Sequence, residues 1–403
     1  MRPHMSDAVR IYHGRTPALP PGALTRFLVS TISAAVGRNG FYMASAWILV
    51  ATRHGSAGVA TLLATISLVE LVSSRLIGEA ADRLDRRRLN IAADLIRSAL
   101  MLATACAILH QDALLTICLS AGLFAFFDRL ALTASQAIIP IVARDRDLAV
   151  SNSTVFFVMQ CGCLGAALLA GPLLAGHSPA VVFSILAVFF LVSAGSLYSM
   201  RLGAAPSGVR EAESFSLNAE PGLFCLFVVY ALLYGGAVLV SVMGSSFVFE
   251  ELKGSAVDFG HVEAAWSAGS LIGPILLVGL TRTIPAHTLH LVLLGSTALA
   301  LMALMNLRAP WTLGIFVALG LLYNMGRVSI EVTLQSRVSG NKLGRSKGAM
   351  HSLAVALGLL IFAIASFLGD AIPPSTVLFG FGVTLLISVL ALSIGAAKQK
   401  DDA

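Results

Sequence analysis

The sequence from Gly78 to Arg88 reads G-E-A-A-D-R-L-D-R-R-R and is the most polar run in an otherwise apolar chain. Apolar segments long enough to cross a bilayer, about 20 residues each, flank it on both sides. A run with four arginines and two aspartates cannot lie in hydrocarbon, so it is predicted to form a short loop at a membrane surface. Short loops rich in Lys and Arg stay cytoplasmic, and this loop therefore orients the rest of the chain.

The composition is that of a polytopic membrane protein. The chain has 403 residues, of which 57% are hydrophobic and 12% are charged. Soluble domains average about 45–50% apolar and about 25% charged residues, so this chain has too little charge to cover a water-soluble surface. Its apolar runs are continuous and do not alternate every second residue, which selects helices over a β-barrel. The net charge of +6 is spread over many loops and does not indicate nucleic-acid binding.

Hydropathy predicts an all-α fold of twelve transmembrane helices in two six-helix bundles. The predicted spans are residues 24–52, 58–77, 89–109, 112–134, 148–175, 178–200, 222–248, 259–281, 285–307, 310–335, 346–368 and 373–396. The predicted units are a tail at 1–22, a bundle at 23–200, a linker at 201–220, a second bundle at 221–397 and a tail at 398–403.

The loop charges set the predicted orientation. Of the 27 Lys and Arg residues, 18 fall on the predicted cytoplasmic side and 3 in the outer loops. This bias predicts that both termini are cytoplasmic. The expected location is the inner, or plasma, membrane.

A shift of 198 positions brings the two halves of the chain into register. Gly37 then falls on Gly235, and Arg129 falls on Arg327. These matches place span one on span seven and span four on span ten, as two parallel six-helix repeats require.

Several polar side chains fall inside the predicted spans, where a charge at the helix centre costs about 2.5–3.5 kcal/mol. Such residues usually face an internal cavity and have a partner. Residues three or four apart share a helix face, and the set predicted to line a cavity is Arg38, Asn39, Arg129, Thr133, Gln136, Arg327, Glu331 and Gln335. Alternatively, the arginines pair with carboxylates and only hold helices together.

Three carboxylates are candidates for carrying a coupling proton: Glu70, Asp128 and Glu331. An ion pair of Arg38 with Glu70 or with Asp128 fits the sequence equally well. Glu263, early in the eighth span, is expected to lie near the outer surface in solvent.

The polar run carries a resemblance to a known family. It is similar to the G-x-x-x-D-R-x-G-R/K-R/K loop between the second and third helices of the major facilitator superfamily. The residues that match this motif are Gly78, Asp82, Arg83, Arg86 and Arg87. Asp85 stands where the family usually has glycine. The following Asp94-Leu95-Ile96-Arg97 resembles the D-L-x-R pattern common after this loop, and Asp94 and Arg97 are expected to brace the loop end. An ordinary cytoplasmic loop is the alternative.

The fifth span carries a second resemblance. Its small residues favour close helix packing. Residues 171–176 resemble the G-P-x-x-x-G core of the fifth-helix motif, which is seen mainly in exporters of this superfamily. The residues assigned to the motif in this span are Gly165, Gly171, Pro172 and Gly176. Residues 136–144 and 343–345 are similar to the branch containing the enterobactin exporter and macrolide efflux proteins.

The resemblance implies a secondary active transporter, not an enzyme. It implies export of a small polar or amphiphilic metabolite, a siderophore first and a drug second, by proton antiport with alternating access. An importer or facilitator, or a non-transporting sensor, is the alternative. The expected partners are the small molecule, protons and the lipid bilayer. No cofactor, metal or nucleotide is expected, because the chain has no G-x-x-x-x-G-K-S/T sequence and its five cysteines lie in apolar segments. A monomer is expected.

Overall fold

The computed structural model describes residues 22–142, 148–200, 223–306, 310–338, 340–368 and 371–401. Within its helices, the description leaves out the side chains of residues 75, 79, 81–83, 148–149, 340–345 and 395–401. The helices are α1 (Ala23–Ala51), α2 (Gly55–Arg83), α3 (Arg86–Ala107), α4 (Ala113–Val142), α5 (Leu148–Gly176), α6 (Pro179–Tyr198), α7 (Leu223–Ser246), α8 (Ala256–Leu280), α9 (Ala286–Ala303), α10 (Trp311–Arg337), α11 (Gly340–Leu368) and α12 (Pro374–Asp401). A π-helical turn, Phe247–Glu251, continues α7.

The helices coincide with the twelve predicted spans. In the described part of the chain, eleven of them are long and apolar enough to cross a membrane. The exception is α1, which is 29 residues long but carries Arg38 and Asn39 near its middle. The predicted all-α membrane fold is therefore confirmed, and the protein is a multi-pass membrane protein.

The two halves pack in equivalent ways. In the first half, α1 contacts α5 and α6, α3 contacts α4 and α6, and α2 contacts α4. In the second half, α7 contacts α11 and α12, α9 contacts α10 and α12, and α8 contacts α10. Each pair in the first half becomes a pair in the second when six is added to both helix numbers. Between the halves, the contacts of α5 with α8 and of α2 with α11 are related by the same rule, and α7 also contacts α1 and α2.

Two glycines show this equivalence at the level of side chains. A Cβ atom on Gly37 of α1 would lie 2.8 Å from the ring of Phe190 on α6. A Cβ atom on Gly235 of α7 would lie 3.2 Å from the ring of Phe381 on α12. In each half, a glycine on the first helix thus lies against a phenylalanine on the sixth, and a Cβ atom on Gly235 would also lie 3.1 Å from Ile361 and from Leu357 of α11.

The polar run around Gly78 is more helical than predicted. Helix α2 continues to Arg83 and α3 begins at Arg86, so only two residues separate them. Asp85 caps α3 by accepting a hydrogen bond from the backbone N–H of Arg88, at 2.8 Å. A carboxylate at this position satisfies an amide that has no partner within the helix. This cap accounts for an aspartate where the family motif usually has glycine.

The predicted domain boundaries stay predictions. Residues 1–21 and the predicted linker at 201–220 lie outside the described residues. Helix α12 continues to Asp401, into the segment assigned to the C-terminal tail.

Candidate transport cavity

A cavity of about 600 Å³ lies between the two halves. Its walls come from α1, α3, α4 and α5 of the first half and from α10 and α11 of the second. Its volume falls within the range of about 300–1,000 Å³ that is usual for small-molecule sites. Four of the predicted cavity residues line it: Arg38, Gln136, Glu331 and Gln335.

The cavity lies toward one end of the helices. Its lining residues come from the first half of α1, the beginnings of α3, α5 and α11, and the final turns of α4 and α10. These are the helix ends on the same side as the polar run at Gly78. The cavity therefore lies on the side that the loop charges predict to be cytoplasmic.

The opposite end is closed by contacts between the halves. Trp47 of α1 stacks on Phe259 of α8, with ring centroids 5.6 Å apart, and meets Phe249 edge-on. Nearby, a Cβ atom on Gly171 of α5 would lie 3.0 Å from the carbonyl oxygen of Ala256. The backbones of α5 and α8 therefore touch at this point, and we call these two contacts the outer seal.

A buried charge cluster lies in the wall formed by the first half. Arg97 of α3 binds both Asp94, one turn earlier on the same helix, and Asp128 of α4. All three side chains are almost fully buried. The Ser193 hydroxyl of α6 donates to Asp94 at 2.6 Å, and the Arg97 guanidinium lies 4.3 Å from the centre of the Phe190 ring. The cluster thus joins three helices, and this role is broader than the bracing of the loop end that the sequence predicts.

Arg38 has different neighbours from those expected. In the described part of the chain it forms no ion pair with Glu70 or Asp128. Asp128 forms an ion pair with Arg97 instead. Asn39, the next residue, donates its amide to the Ala35 carbonyl at 2.7 Å and contacts the Cys163 sulfur at 3.1 Å. The Cys163 thiol also interacts with the Arg38 guanidinium. Arg38 therefore contacts α5 at the deep end of the cavity.

The second half contributes an arginine and an ion pair. The guanidinium of Arg327 on α10 lies 5.4 Å from the centre of the Phe156 ring on α5, across the boundary between halves. One turn later, Glu331 lies 3.8 Å from the ammonium of Lys347 on α11. More than a third of each of these two side chains is exposed, so this ion pair is weak and open to exchange with a ligand.

Residues 27–363 match the Major Facilitator Superfamily. The chain belongs to this superfamily.

Its relatives are transporters. The chain is 25% identical over 400 residues to the multidrug efflux pump Tap of Mycolicibacterium fortuitum, which covers 94% of this chain and 97% of that protein. The fold is similar to that of the nucleoside transporter NupG, with a TM-score of 0.71, 12% identity and coverage of 92% and 98%. It is also similar to a bacterial homologue of the iron transporter ferroportin in an inward-facing state, with a TM-score of 0.70, 13% identity and coverage of 92% and 97%. These matches support the superfamily and do not single out the branch of the enterobactin exporter.

In this superfamily member, Glu70, Arg129 and Thr133 lie away from the lining of the cavity. The cavity face of α4 includes Leu132, Ser135 and Ile139. Residues 129 and 133 are rotated to the edge of that face, so they do not line the cavity with Gln136 as predicted. Arg129 is exposed and is the principal opposite charge acting on Glu70 of α2. The Thr133 hydroxyl donates to the Arg129 carbonyl at 2.9 Å.

The loop motif of the superfamily contacts its own half. Arg87 donates to the carbonyls of Leu197 and Tyr198, at 2.8 and 2.6 Å, and so caps the C-terminal end of α6. Arg86 donates to the Ala137 carbonyl of α4 at 3.3 Å. Cations are favoured at helix C-termini, which suits the Arg87 contact. The side chains of Asp82 and Arg83 lie outside the described residues.

The residues of the fifth-helix motif have different surroundings. Gly171 lies in the outer seal, whereas a Cβ atom on Gly165 would make an ordinary contact, 3.7 Å, with Val36 of α1. A Cβ atom on Gly176 would have no atom within 4 Å. Pro172 lies inside α5 and is exposed. Close approach between the halves therefore requires a glycine at one motif position, Gly171.

Sequence reasoning missed the environment of Glu263. It does not lie in solvent near the surface, and that prediction was wrong. Glu263 lines a second chamber of about 260 Å³ between α1, α2, α5, α7 and α8. A signal was present, because Glu263 and Ser267 are four apart and so share one face of an otherwise apolar helix.

Proposed function

We propose that this protein is a secondary active exporter. It takes up a small amphiphilic organic compound from the cytoplasm and releases it outside the plasma membrane in exchange for protons. One observation carries the proposal: the cavity lies between the halves at the predicted cytoplasmic end, while the outer seal closes the other end. An arrangement with one open end and one sealed end is what alternating access requires of one of its states.

The lining supports an amphiphilic cargo. Phe156, Met159 and Leu132 supply apolar surface. The charged lining residues are Glu331, Lys347, Arg38 and Arg97, and Arg97 is paired with the buried Asp94 and Asp128. Because the relatives carry the name of multidrug efflux pumps, a drug-like amphiphile ranks ahead of a siderophore, which reverses the order that the sequence suggests.

The proposed transport cycle uses the contacts of α5 with α8 and of α2 with α11. Rocking of the halves separates α5 from α8 at the outer seal and brings the cytoplasmic ends together around α2 and α11. The loop at Gly78 then meets the second half, with Asp82 as the contacting residue. The direction of transport rests on the relatives and on the fifth-helix motif, and the coupling to protons rests on the acidic residues within the spans.

Everted membrane vesicles test the proposal. With an imposed pH gradient, vesicles containing the protein should accumulate ethidium or enterobactin, and a protonophore should abolish the accumulation. Gln335→Trp places a large ring in the cavity and should stop transport. Val332→Trp changes an exposed residue on the same helix and should transport like the wild type. Uptake of either compound into intact cells, with none into everted vesicles, would identify an importer instead.

A further inference from the structure

The second chamber lies between the transport cavity and the outer seal. Arg38 lines the cavity, and the next residue, Asn39, lines the chamber together with Cys163. Phe259 of the outer seal forms the far wall. The chamber is therefore the first internal space to meet the outside when the seal opens.

Glu263 is the acidic residue of this chamber, and it differs from the other acids deep in the described spans. Each of those has a basic group acting on it: Glu70 has Arg129, Asp94 and Asp128 have Arg97, and Glu331 has Lys347. Glu263 forms no ion pair or hydrogen bond with any residue that the structure describes. It is half-buried, and its exposed part faces the chamber.

The groups around Glu263 provide no fixed counter-charge. On α1, the Tyr42 hydroxyl is buried without a hydrogen-bond partner among the described residues. On α5, the Cys163 thiol interacts electrostatically with the Glu263 carboxylate, and Arg38 approaches that thiol from the cavity side.

The remaining walls are equally poor in charge. The side chains that α2 supplies, from Val59 to Ile66, are apolar, and α7 supplies Ser241. On α10, which packs against α8, the ring of Tyr323 lies against Trp266. The guanidinium of Arg327 lies over the ring of Phe156. Lys253 is exposed beyond the chamber.

An ionised carboxylate in such surroundings is unfavourable unless a cation accompanies it. The volume of about 260 Å³ has room for several water molecules, at about 30 Å³ each, so protons can reach the carboxylate through water. We propose that Glu263 is the residue that takes up the coupling proton from the outer side. This inference rests on the proposed function, and it assigns the coupling step to a residue outside the set Glu70, Asp128 and Glu331.

The step is a proton transfer. Water on the outer side gives a proton to a carboxylate oxygen of Glu263, and the carboxyl group is then neutral while the seal re-forms. When the chamber connects with the cavity, the proton returns to water on the cytoplasmic side.

A chemical test is independent of the cargo. Dicyclohexylcarbodiimide reacts with protonated carboxyl groups in apolar surroundings, and peptide mass spectrometry locates the product. In the protein reconstituted in lipid nanodiscs at neutral pH, the label should appear at Glu263, should decline as the pH is raised, and should disappear from that peptide in Glu263→Gln. Label at Glu70 or Glu331 with none at Glu263 would overturn the inference.

A transport test uses ethidium in proteoliposomes. Glu263→Gln should lose transport driven by a pH gradient but keep the exchange of internal for external ethidium, which needs no net proton movement. Glu263→Asp should restore part of the coupling. The matched control is Asp112→Asn, which makes the same carboxylate-to-amide change at an exposed residue paired with His54 at 3.8 Å.

The outcomes separate the two proposals. If the wild type shows no gradient-driven transport, the proposed function fails, and the inference fails with it because it rests on that function. If the wild type is coupled and Glu263→Gln remains coupled, the inference fails. If Glu263→Gln loses both coupling and exchange, the residue serves binding or stability, and the inference also fails.

Discussion

Replacing Gly171 with leucine should shift the protein away from the state with a closed outer end. In the structure, the position of a Cβ atom at residue 171 is 3.0 Å from the Ala256 carbonyl oxygen and 3.3 Å from the Gly260 Cα atom. Both neighbours belong to the α8 backbone, which cannot move aside as a flexible side chain could. The remaining atoms of a leucine side chain would need space that the contact between α5 and α8 does not provide.

The size of the shift follows from the cost of overpacking. Forcing extra methylene groups into a close contact costs about 1–3 kcal/mol. The cost applies only while α5 and α8 touch, so it changes the balance between the two states by a factor of about 5 to 150. The matched control is Gly176→Leu, because a Cβ atom at residue 176 of the same helix has no atom within 4 Å.

Thiol labelling measures the shift. Cys163 lines the second chamber behind the outer seal, and it becomes the single thiol when alanine replaces Cys106, Cys118, Cys161 and Cys225. A membrane-impermeant maleimide is added outside intact cells, and the labelling rate reports how often the outer end opens. The rate should rise at least about fivefold in Gly171→Leu and stay at the starting value in Gly176→Leu.

Equal labelling rates in the two leucine variants would refute this reasoning, provided that both proteins reach the membrane in the same amount. Such a result would mean that the contact between α5 and α8 persists throughout transport. The outer end would then have to open elsewhere.

Three further predictions follow from the charged groups. Arg97→Met leaves two buried carboxylates without their cation and should lower the stability by about 3–5 kcal/mol, measured by thermal unfolding in detergent; an unchanged unfolding temperature would contradict the described cluster. Asp82→Asn should reduce transport at unchanged expression, and an unchanged flux would remove the proposed loop contact. Phe156→Leu should remove the Arg327 contact, worth about 0.5–2 kcal/mol, and should weaken ethidium binding; equal binding would assign the ring no part in the cavity.

The sequence by itself determined the class of the protein and its division into two halves. Span length and apolar composition are local properties, so twelve helices could be located without knowing their neighbours. The arginines around Gly78 were sufficient to predict an orientation. The 198-residue shift that matched Gly37 with Gly235 was also readable, and each of these glycines lies against a phenylalanine on the sixth helix of its half.

Only the tertiary structure decided which charged groups meet. Arg97 and Asp128 are 31 residues apart on different helices, so nothing local selects Arg97 over Arg38 as the partner of Asp128. The same holds for the glycines of α5, since Gly171 and Gly176 look alike in the sequence and only one touches α8. Glu263 shows the effect most clearly, because the rotation of α8 and the positions of four neighbouring helices turn an acid expected in solvent into one that faces an internal chamber.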